Sequence, residues 1–74
     1  MHSPKPYGLL VKGDMPTERD MAFIESVARR LTNFKLTGQL DSLKWEYELP
    51  DGGWFIVQDM GGTFRVITTK GHVD

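Results

Sequence analysis

The sequence predicts a small two-layer α+β domain with the element order β-α-β-β-β. Three observations lead there. Two glycine-containing turns space three short alternating segments between Leu43 and Thr69, an apolar stripe at helical spacing runs from Met21 to Leu31, and a short apolar run covers Tyr7 to Lys12. A sheet with one apolar face and a helix with one apolar stripe bury both only against each other.

Residues 1–6 carry two prolines and no apolar pattern, which reads as an extended, mobile arm. Tyr7 to Lys12 then forms a first strand between Pro6 and Gly13, with Tyr7, Leu9 and Val11 sharing a face. Gly8 is no phosphate loop, because no glycine-rich turn leads from this strand into the helix. Gly13 to Pro16 is a linker.

The helix begins at Thr17. Thr17-Glu18-Arg19-Asp20 is a capping box in which Asp replaces the usual Glu. Met21, Ile24, Val27, Ala28 and Leu31 recur at three- and four-residue spacing, and Phe23 and Phe34 widen the stripe on one side. Acids open the helix (Glu18, Asp20) and bases close it (Arg29, Arg30, Lys35), as its dipole favours. The end falls between Asn33 and Gly38, and a polar connection leads into the sheet.

Turn chemistry then sets the registers. In Leu49-Pro50-Asp51-Gly52-Gly53, Pro fixes its own φ and Gly supplies a positive one, the signature of a type I turn with a G1 bulge. It places Leu49 opposite Gly53, Tyr47 opposite Phe55 and Trp45 opposite Val57. Met60-Gly61-Gly62-Thr63 suits a two-residue turn with both glycines at positive φ. It places Asp59 opposite Phe64, Val57 opposite Val66 and Phe55 opposite Thr68.

With a strand period of two, one face collects Leu43, Trp45, Tyr47, Leu49, Phe55, Val57, Phe64 and Val66. This is the core face. The other collects Lys44, Glu46, Glu48, Trp54, Ile56, Gln58, Met60, Arg65, Ile67 and Thr69. The three sequential strands form an antiparallel meander. Because a helix intervenes, the first strand runs parallel to whichever edge of the meander it joins, and the sequence leaves that edge open.

Seventy-four residues allow one domain, 1–74, with mobile ends at about 1–6 and 70–74. The chain has no cysteine, which removes disulfides and thiolate metal sites and fits a reducing compartment. A net charge of −1 suggests no field that would gather nucleic acid or anionic membrane. No apolar run approaches a membrane span, and the first residues lack the apolar segment of a signal peptide. The expected location is cytoplasmic.

Chemistry-bearing patterns are sparse. His2 and His72 lie in the two ends, whereas a metal site needs three or four ligands at fixed distances. Glu46 and Glu48 alternate on the open face beside Trp54, but a catalytic reading leaves every other role unfilled. Gly52-Gly53 and Gly61-Gly62 are hairpin turns, since neither precedes a helix. No catalytic residue, cofactor, metal or small-molecule substrate is inferred, so the expectation is a non-enzyme.

The open face is the most informative feature. Trp54, Ile56, Met60 and Ile67 make an apolar patch rimmed by Glu46, Glu48 and Arg65, a composition suited to protein contacts. Trp54, Ile56, Met60, Arg65 and Ile67 are therefore the candidate partner-binding residues, for a homodimer or another protein. The size and neutral charge suit a bacterial or phage-type accessory protein. The alternative is a single-stranded nucleic-acid or DNA-associated accessory protein, since sheet aromatics stack on bases. Trp54 is the one aromatic on the open face, and Glu46 and Glu48 beside it repel phosphate.

Overall fold

The computed structural model describes residues 7–68. The expected mobile ends, both histidines and the placing of Thr69 lie outside those residues. The elements are β1 (Tyr7–Val11), α1 (Glu18–Leu36), β2 (Lys44–Glu48), β3 (Trp54–Asp59) and β4 (Phe64–Thr68). One helix covers a four-stranded mixed sheet ordered β1-β4-β3-β2. β2, β3 and β4 form the antiparallel meander, and β1 joins β4 in parallel, pairing Leu9 with Val66 and Leu10 with Ile67.

Both hairpin registers follow the turn chemistry. Tyr47 faces Phe55 and Trp45 faces Val57, while Asp59, Val57 and Phe55 face Phe64, Val66 and Thr68. In the first turn the Gly52 N–H donates to the Leu49 carbonyl at 3.2 Å, and the Leu49 N–H donates to Gly53 at 3.1 Å. In the second turn the expectation needs correction: Gly61 has φ 93°, but Gly62 is not in the positive region. Positive φ at the first central residue alone is the type II′ pattern. The Asp59 carboxylate holds it there by accepting the Gly61 N–H at 2.9 Å.

The helix starts on the capping box read from the sequence, with the Thr17 hydroxyl accepting the Asp20 N–H and the Asp20 carboxylate accepting the Thr17 N–H. It closes on a Schellman motif. Gly38, at φ 72°, donates its N–H to Lys35, and Gln39 donates to Phe34 at 2.8 Å.

Ile24, Val27, Ala28 and Leu31 of α1 are buried together with Tyr7, Leu49, Phe55, Val57, Phe64 and Val66. Phe23 meets Phe55 and Tyr47 edge-on, with ring centroids 5.8 and 6.5 Å apart. Trp45 and Tyr47 are only half-buried, because β2 is an edge strand. Two expectations fail at the margins. Leu43 is 71% exposed: it precedes β2 at the sheet corner, where its carbonyl accepts the Asp59 N–H but its side chain stays in water. Phe34 is also exposed and does not widen the buried stripe, which closes with Leu31.

Candidate interaction surface

The strand registers build the face opposite α1 residue by residue. Side chains at paired positions stand side by side on the same face. One row therefore runs Leu10, Ile67, Ile56, Glu46 across all four strands, and a second runs Gly8, Arg65, Gln58, Lys44. Trp54 stands beyond the first row, opposite Glu48.

Of the residues expected there, Trp54 is 44% exposed, Ile56 and Ile67 are half-buried by their neighbours, and Arg65 is exposed. These four lie on two adjacent central strands. Met60 is also exposed but sits past the end of β3, in the turn. Leu10 was not foreseen. It is 41% exposed and extends the apolar row by one strand, onto β1. Its place depends on β1 joining β4, which the turn arguments do not reach.

The row is apolar from β1 through β3 and acidic at β2. Lys44, Glu46 and Glu48 put a charged border along one side, and Arg65 and Gln58 supply polar groups at one end. The arrangement can bury a flat apolar strip while directing charges at its rim.

A separate cleft of about 330 Å³ lies between the end of α1 and the β3–β4 turn, lined by Thr32, Lys35, Leu36, Gly62, Thr63 and Phe64. The Lys35 ammonium is 2.7 Å from Asp59 Oδ1 and 5.7 Å from the Phe64 ring centroid. The hydrogen bond from Lys35, with that from the Gly61 N–H, holds the Asp59 carboxyl below its ordinary value. Lys35 is thus committed to holding the helix end against the β3–β4 turn. Across the sheet, burial pushes the Tyr7 hydroxyl up, and the Glu25 carboxylate adds to the shift.

Among the described residues, no group of three or more His, Cys, Asp or Glu side chains is placed to hold a metal ion. No helix among them is long and apolar enough to cross a membrane. No family model, curated protein or solved structure matches the chain.

Proposed function

We propose that this chain is a small non-catalytic interaction module that binds a protein surface, a second copy or a partner, through its open sheet face. The observation that carries the reading is the row Leu10, Ile67, Ile56, laid side by side by strand register on the face away from the helix, with Trp54 exposed next to it. Apolar side chains on β4 and β3 are not needed there for the core, which the other face fills. An aromatic anchor beside a strip of branched side chains is the arrangement that dominates protein contacts. A cytoplasmic accessory protein of bacterial or phage type suits this role.

The face is a poor match for nucleic acid. It offers one aromatic, and Glu46 and Glu48 stand on the same surface. The two classes separate in a capture experiment run with wild type and Trp54→Ala, alongside a salt titration against mixed oligonucleotides. Protein binding is expected to fall about thirtyfold or more with Trp54→Ala and to respond weakly to salt. Oligonucleotide binding that weakens steeply with salt would replace this reading with the nucleic-acid one.

A further inference from the structure

Among the described residues, the two edges of the sheet are chemically unlike. β2 carries Lys44, Glu46 and Glu48, whereas β1, Tyr-Gly-Leu-Leu-Val, carries no charge. Edge strands are ordinarily guarded by charge, proline or a bulge, because their outward backbone groups template a further strand. One hydrogen bond tells which groups face out. The Lys12 N–H donates to the Thr68 carbonyl at 2.9 Å. In the parallel register of β1 and β4, this turns the backbone groups of Gly8 and Leu10 inward as well. Leu9 and Val11 therefore direct theirs to the outer edge.

We propose that β1 pairs antiparallel with β1 of a second copy, about a two-fold axis through Leu9, joining two four-stranded sheets into one. In that register Leu9 meets the partner's Leu9, and Gly8 meets the partner's Leu10. The fit is self-complementary, as a two-fold contact requires. Leu10 is 41% exposed, while a Cβ at Gly8 would meet nothing within 4 Å. Each exposed leucine thus lies beside the bare glycine of the other copy.

Charge selects this edge over the other. The Leu49 N–H donates to Gly53 and the Leu43 carbonyl accepts from Asp59, both on the β3 side, so the outward groups of β2 belong to Lys44, Glu46 and Glu48. The same two-fold pairing at β2 would set Glu46 directly against the partner's Glu46 at the axis, with Lys44 opposite the partner's Glu48 on either side, so three charged side chains from each copy guard that edge. At β1 no side chain within the paired strand is charged. The pairing uses a strand edge and does not rest on the open face binding anything. Its consequence is that the rows of Leu10, Ile67 and Ile56 in the two copies become continuous.

Sedimentation equilibrium of the whole chain at up to about 1 mM tests the pairing. Wild type is expected to show a dimer. Val11→Pro removes an outward N–H at an edge position, where proline is tolerated, and is expected to give a folded monomer. Ile56→Lys is expected to remain dimeric, which separates this proposal from the open-face reading. Because the chain has no cysteine, Gly8→Cys and Leu10→Cys chains can also be mixed under mild oxidation. Facing Cα atoms would then be within disulfide reach, and the mixture should cross-link roughly tenfold more than either variant alone. This second arm decides the matter if Val11→Pro unfolds. A wild type that stays monomeric overturns the proposal. So does a dimer whose mixed cysteine variants show no excess cross-linking.

Discussion

Asp20 Oδ1 accepts the backbone N–H of Asp51 at 3.1 Å, tying the first turn of α1 to the β2–β3 hairpin across 31 residues of chain. Asp20 is fully buried, and its other oxygen accepts the Thr17 N–H. The Thr17 hydroxyl in turn lies 2.6 Å from Asp51 Oδ2, and Arg19 reaches the other oxygen of Asp51 at 3.4 Å. Asp20 thus does two tasks, capping the start of the helix and orienting the turn that sets the first hairpin register.

Asp20→Ala is accordingly expected to cost about 1–2 kcal/mol, at the upper end for a cap, because it removes the acceptor of two backbone N–H groups, those of Thr17 and Asp51. Thr17→Ala should cost roughly 1 kcal/mol. Chemical denaturation of both single variants and the double variant checks this. The double variant should fall short of the sum, since the two side chains serve one network.

Phe55 is fully buried between Phe23 and Tyr47, whose rings lie 5.8 and 5.3 Å from its own. Phe55→Ala is expected to cost about 3–5 kcal/mol, a large part of the stability of so small a domain. Loss of the native near-ultraviolet spectrum at room temperature is the readout. A variant with wild-type melting would contradict the register that puts Phe55 inward.

The two glycines of the second hairpin should behave differently. Gly61→Val forces a β-branched residue to φ 93° and is expected to cost roughly 1–2 kcal/mol. Gly62→Val meets open space at an ordinary φ and should be nearly neutral. Melting temperatures of the pair give the comparison. Equal losses would favour a turn with both glycines at positive φ.

Acid should loosen the helix end from the β3–β4 turn. The folded-state value of Asp59 is depressed, so its ion pair contributes fully above the unfolded value, near 4. That contribution disappears as pH falls through the lower folded value. Asp59→Asn is therefore expected to be less stable than wild type at neutral pH, with the gap closing well below pH 4. Melting curves across that range check the sign.

Much of the fold was legible because turns are local. Pro50, Gly52 and Gly61 fix both hairpin registers, and alternation then sorts every strand residue to a face. The partner of β1 was not reached by that route, although the composition carries a signal. Phe-Arg-Val-Ile-Thr is apolar enough on both faces for an interior strand, while the charged residues of β2 suit an edge. Leu10 was missed on the open face for the same reason. The contacts of Lys35 with Asp59 and of Asp20 with Asp51 depend on how the helix lies across the sheet, and no local pattern encodes that.

The central claim is that the open face serves binding while the opposite face serves folding. Ile56→Lys, assayed for unfolding free energy and for protein capture on the same preparation, tests it most directly. Ile56 lies between Ile67 and Glu46 on the half-exposed face, so a lysine there can keep its ammonium in water. The expected result is a folded protein, destabilised by about 1 kcal/mol or less, that has lost capture of the partner held by wild type. A variant that unfolds, or one that captures as well as wild type, would contradict the claim.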